Sequence, residues 1–218
     1  TACQLPTPPI DYTPIPPALT PTSPPPPPQS LSLDDLTLFE QAMIPIAQSD
    51  VAQVATMLRP TRYRIDARFD PSSRTINGQE IVRYTNNETE PLDAVYFRLF
   101  PNLPESGRAT VSLLTVDGVP TTPQSELAGS ALRVPLDPPL PPGASVTFRL
   151  DFTVEVPTTP GGNYGAFAYT DDVVALAGFY PLIPVFDDEG WNVEIPPAYG
   201  DPVYSDTSFY LVRFTLPT

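Results

Sequence analysis

Residues 63–102 read YRIDARFDPSSRTINGQEIVRYTNNETEPLDAVYFRLFPN, and the fold of the chain is decided there. Runs rich in Tyr, Ile, Val and Phe are separated by the turn formers Asp70-Pro71-Ser72-Ser73 and Asn86-Asn87-Glu88-Thr89, the pattern of a three-stranded antiparallel meander. Tyr63, Ile65, Ala67 and Phe69 alternate with Arg64, Asp66 and Arg68, so the first strand has one buried and one wet face. Val95, Phe97 and Leu99 repeat that alternation in the third. The middle strand carries apolar residues in both parities, Ile76, Val82 and Tyr84 against Ile81, and its Gly78 allows a bulge or a close backbone approach.

Working outward, further strands are expected at 110–119, 132–136, 145–156 and 208–216. Of these, residues 145–156 carry the clearest alternation in the chain: Val146, Phe148, Leu150, Phe152, Val154 and Val156. The run Asp137-Pro138-Pro139-Leu140-Pro141-Pro142-Gly143 ahead of it reads as a rigid turn. The expected fold is all-β, an antiparallel sandwich of about eight strands. A globular part of this length buries roughly 70% of its unfolded surface, enough for a real core.

The other regions differ in character. Twelve of the 33 prolines fall in residues 1–30, the expected tether, of which residues 6–29 are expected to be polyproline II reaching about 70 Å. Residues 31–60 carry one or two short helical signals, with Leu36, Phe39 and Met43 on one face, a break at Pro45, and Val51, Val54 and Met57 on a second face. The sandwich is then residues 61–218. Cys3 is the only cysteine, so no disulfide forms within the chain. Thr1-Ala2-Cys3 resembles the end of a bacterial lipoprotein signal, which makes Cys3 a candidate for lipid attachment; an ordinary cysteine near a terminus is the alternative. A tether behind it suits an anchored protein, and the expected location is extracytoplasmic and membrane-associated, periplasmic or on the bacterial cell surface.

Charge and composition narrow the function. With 25 acids, 11 bases and a net charge of −14, the chain lacks the basic footprint that nucleic acid requires. It contains no histidine, so imidazole acid–base catalysis and a Ser-His-Asp triad are beyond this chain alone. Asp171-Asp172 and Asp187-Asp188-Glu189 are the nominees for paired-carboxylate chemistry or a calcium site, but adjacent acids bounded by Gly and Pro read first as solvated turns.

Several stretches together resemble a known family. The first strands, Tyr63 to Pro71, Ile76 to Asn87 and Leu92 to Asn102, resemble the opening of the N-terminal domain of aminopeptidase N-type zinc peptidases. The stretch Ala177-Gly-Phe-Tyr-Pro-Leu-Ile-Pro, then Gly190-Trp191, Gly200-Asp201-Pro202 and the run from Ser205 to Phe214, resembles the end of that domain in bacterial, often lipid-anchored members. The resemblance spans about residues 49–218 and makes Tyr180, Pro181, Gly190, Trp191, Gly200 and Asp201 its structural signature. It implies a saddle-shaped sandwich that walls the active site of a separate catalytic domain, where His-Glu-x-x-His binds zinc. No such motif lies in this sequence. The implied cofactor set is therefore none for this chain, with zinc only where a catalytic domain follows, and no enzyme activity is expected of the chain alone.

Many family members hold the substrate's amino group with a Gln or Glu about ten residues before a Phe-Pro-type pair. Here the pair is Tyr180-Pro181 and that position falls near Thr170, beside Asp171 and Asp172. Either an Asp takes the amine or the contact is lost, and loss is favoured because a solvated loop acid needs no special role. The partners implied are a membrane through the lipid and another protein or a following domain. The alternative function is an accessory structural subunit that docks through its Pro-rich tail on a membrane-bound complex.

Overall fold

The computed structural model describes residues 59–103, 108–159, 167–170, 173–197 and 203–217. The tether, Cys3 and nearly all of the expected helical segment lie outside the described residues, as do Asp171, Asp172, Gly200 and Asp201.

The strands, in chain order, are β1 (Arg62–Asp70), β2 (Thr75–Thr85), β3 (Leu92–Arg98), β4 (Arg108–Val116), β5 (Val119–Pro120), β6 (Gln124–Glu126), β7 (Ala131–Leu140), β8 (Ser145–Glu155), β9 (Phe167–Thr170), β10 (Val173–Leu176), β11 (Phe186–Asp187), β12 (Gly190–Trp191) and β13 (Phe209–Thr215). Every run singled out by alternation forms a strand. The additional strands, β5, β6 and β9 to β12, are two to four residues long and too short for a periodicity to register.

A six-stranded sheet in the order β13-β1-β2-β8-β4-β5 forms one layer and a three-stranded sheet, β3-β7-β6, the other, with β9–β10 and β11–β12 as separate two-stranded pairs. The layers meet through side chains such as Phe97 of β3 and Phe148 of β8, whose rings lie edge to face at 5.2 Å. The core parity expected for β1 holds, with Tyr63, Ile65, Ala67 and Phe69 all buried. The six expected residues of 145–156 are buried as well, Val156 just beyond the end of β8. One pairing departs from the antiparallel expectation: β13 runs parallel to β1, with Tyr63 opposite Tyr210 and Ile65 opposite Val212.

The meander is also corrected. β1 and β2 pair as expected, from Arg62 with Arg83 to Asp70 with Thr75, but the other edge of β2 is taken by β8 along its whole length, from Thr75 with Glu155 to Thr85 with Ser145. β3 crosses to the second layer and pairs with β7. The crossing is fixed at Asn86, which is fully buried. Its Nδ2 donates to the carbonyls of Glu90 and Leu140 at 2.8 and 2.9 Å, while Oδ1 accepts from the Glu88 amide at 2.9 Å. A buried amide satisfied on both ends holds the turn against both layers. Within β3, Leu92, Ala94, Val95, Phe97 and Arg98 are buried, so both parities carry covered residues, while Asp93 stays exposed.

Two further expectations shift. Residues 110–119 are not one strand: the chain reverses at Asp117-Gly118, both at positive φ (47° and 81°), and returns as β5. Asp-Gly is a strong hairpin signal that the apolar run concealed. The proline run is only partly a turn, since β7 extends to Leu140 and the reversal comes at Pro141–Gly143. Opposite Leu92 and Ala94, β7 bulges between Pro135 and Leu140, because prolines have no N–H to continue the ladder.

Candidate functional site

The described signature residues, Tyr180, Pro181, Gly190 and Trp191, lie in two aromatic clusters. Residues 179–183 cross the inner face of β1 and β13. The Tyr63 ring stacks on Tyr210 at 4.8 Å and 9°, and Tyr180 meets both edge-on at 6.1 and 5.9 Å. The Ile183 amide donates to the Tyr63 hydroxyl at 3.1 Å. Phe179 extends the cluster to Phe214 at 5.6 Å and toward Phe152 at 6.5 Å. Pro181 is buried, and Leu182 exchanges backbone hydrogen bonds with Arg98 of β3 at 2.7 and 3.1 Å. Tyr180-Pro181 thus fastens one layer to the other.

Trp191 anchors the second cluster, 5.2 Å from Phe186 and 6.0 Å from both Tyr84 and Tyr96. It sits at the end of a tight reversal whose last residue, Gly190, has φ of +102°, a conformation that L side chains rarely adopt. The acids of this reversal are the Asp187-Asp188-Glu189 run. Asp187 accepts from Asn192 Nδ2 at 2.8 Å and from the Glu189 amide at 3.0 Å, and these bonds, the Asn192 one foremost, hold its carboxyl below the usual range. Its oxygens are committed to the turn, as a solvated reversal requires.

Two ionisable side chains in the core lie outside the signature. Glu80, in the middle of β2, is fully buried and neither carboxyl oxygen has a hydrogen-bond partner. Burial raises its pKa well above the ordinary carboxyl value, so the group is held neutral beside Tyr63, Tyr180 and Tyr210. Burial likewise raises the Tyr63 and Tyr180 hydroxyls, leaving them protonated. Arg98, the last residue of β3, is only 4% exposed. Glu80 was legible from its parity with Ile76, Val82 and Tyr84. Arg98 was not, because β3 is buried in both parities.

Elsewhere, a groove of about 460 Å³ is lined by Ser73, Arg74, Thr75, Glu155, Thr158 and Thr159 among others. Among the described residues, no group of three or more His, Cys, Asp or Glu converges on a point where a metal ion could sit. None of the described helices is long and apolar enough to cross a membrane.

Protein-family models and curated proteins yield no match to this sequence. Among solved structures, the chain is similar to the M1 zinc metallopeptidase from Deinococcus radiodurans at 20% identity and a TM-score of 0.45, over 73% of this chain and 33% of that one. A mutant of that enzyme bound to a Tyr-Ser-Ala substrate matches at 19% identity and a TM-score of 0.44, with the same coverage. A two-domain M1 zinc metallopeptidase mutant bound to L-arginine matches at 19% identity and 0.45, again over 73% and 33%. The matched region spans about a third of each of those chains.

Proposed function

We propose that this chain is a non-catalytic β-sandwich scaffold, the N-terminal-domain part of an aminopeptidase N-like zinc peptidase, tethered at an extracytoplasmic membrane surface through a lipid on Cys3. In this role it packs against a further domain and walls that domain's active site, and any zinc is held there. The observation that carries the reading is the inner face of β13. Tyr210 and Val212 lie opposite Tyr63 and Ile65, which are 1% exposed, yet they are themselves 37% and 53% exposed. The core parity runs into solvent at this edge, as a sheet does when another folded part completes its cover. Tyr180 and Trp191 support a scaffold role, since both are engaged in packing within the sandwich.

A second reading, an accessory subunit docking on a membrane-bound complex, is favoured by the proline density of residues 1–30. Mass spectrometry of the protein purified from its natural source separates the two. The peptidase reading expects a chain that continues past Thr218 into a segment with His-Glu-x-x-His, and a diacylglycerol on Cys3. A natural chain ending at Thr218 overturns the peptidase part and leaves the accessory subunit; an unmodified Cys3 overturns the anchor.

A further inference from the structure

We infer that the Nε–Nη2 edge of Arg98 is a receptor for a carboxylate brought from outside this chain. The guanidinium is positioned firmly. Its backbone is clamped by the two hydrogen bonds to Leu182, Nη1 donates to the Glu194 carbonyl at 2.8 Å, and the Phe100 ring lies 5.4 Å from Cζ. Nε and Nη2, by contrast, are buried and have no hydrogen-bond partner. Those two N–H groups form the side of a guanidinium that meets both oxygens of a carboxylate in a planar, two-bonded fork. An aromatic face stabilises the cation but offers it no acceptor.

A buried cation with two unmet donors is costly and rarely left so. Shortage of acids is not the cause, because the chain holds 25 acids to 11 bases. Among the other guanidiniums, Arg133 pairs with Asp93 at 3.0 Å, and Arg64 and Arg213 share Asp66 at 3.5 and 2.5 Å. Arg98 hydrogen-bonds only a carbonyl: the Glu194 carboxylate lies near enough to favour the cation against the effect of burial, but it makes no hydrogen bond to Nε or Nη2. The geometry is that of a site kept for an incoming acid. A net charge of −14 favours a singly charged carboxylate over a phosphate dianion, and a planar acceptor fits the fork better than a tetrahedral one. The segment 194–197, whose Glu194 carbonyl meets the guanidinium, includes the exposed Glu194, Ile195 and Pro197. This inference is independent of what completes the β13 edge.

The test follows the Arg98 Nε–H resonance of the full chain by ¹H–¹⁵N NMR while sodium acetate replaces sodium chloride at constant ionic strength. The site predicts a downfield shift that saturates at millimolar acetate, does not occur with chloride, and belongs to a signal missing in Arg98→Lys. Should that variant not fold, triple-resonance assignment of the unaltered protein identifies the signal instead. A resonance that acetate leaves unmoved, or shifts linearly without saturation, overturns the inference. So does a downfield, slowly exchanging signal already present without acetate, which would mean that an acid of the chain itself fills the fork.

Discussion

Glu80 occupies a core position of β2 with both carboxyl oxygens unpartnered, and its effect on stability has a definite sign. Its folded-state pKa is raised by burial, so the folded protein keeps a proton that the unfolded chain releases near the ordinary carboxyl value. The contribution is fully present below that value and is lost as pH rises toward the folded pKa. Glu80→Gln removes the titration. Urea unfolding should therefore give similar stabilities for the two proteins near pH 4. The variant should gain on the unaltered chain as pH rises, by up to about 1.4 kcal/mol per pH unit within the window. A gap that does not change between acid and neutral pH would show that Glu80 is not held protonated by the fold.

At the scale of elements, the pairing of β2 with β8 organises the large sheet, and it depends on Gly78. Gly78 lies opposite Phe152, whose ring folds across it. A Cβ there would stand 2.6 and 2.7 Å from the two Cε atoms of that ring, closer than real side chains approach. Of the alternatives the sequence left for Gly78, the close approach is realised and the bulge is not, since β1–β2 and β2–β8 pair without a register shift. Gly78→Ala should lower stability by about 1 to 3 kcal/mol, the usual cost of overpacking a filled core, read as a lower urea midpoint. An unchanged midpoint would mean that the ring moves aside freely.

The elements also explain what could be read from the sequence. Val146 to Val156 announced a buried strand because one face is dry and the other wet, and Tyr63 to Phe69 did the same. Pairing order was harder. Nothing local in Leu92 to Arg98 distinguishes the third strand of a meander from a strand of the opposite layer; that choice depends on β8, some fifty residues further on, claiming the free edge of β2. The site was legible to a lesser degree. Tyr180 and Trp191 were identified by family resemblance, and their packing roles follow from contacts with Tyr63, Tyr84 and Tyr96 that no spacing reveals. Arg98 left no pattern in the sequence, because one buried arginine among apolar neighbours has no period.

For the whole molecule, the central claim is that the sandwich is a scaffold left open at β13 and closed by another folded part. β13 is an edge of its sheet, and the chain on either side adds the exposed Tyr204 and Leu216. Since the Phe209 amide donates to the Thr61 carbonyl, the parallel register turns the amides of Tyr210, Val212 and Phe214 away from β1. An exposed edge of this kind invites pairing or cover. The most direct test is amide hydrogen exchange on the protein purified from its natural source, read at those residues. Covered by a further domain or subunit, the amides of Tyr210, Val212 and Phe214 should exchange slowly, at rates near those of the Phe209 and Leu211 amides that face β1. Exchange at the rate of an open strand edge would contradict the claim and leave the sandwich a free-standing domain.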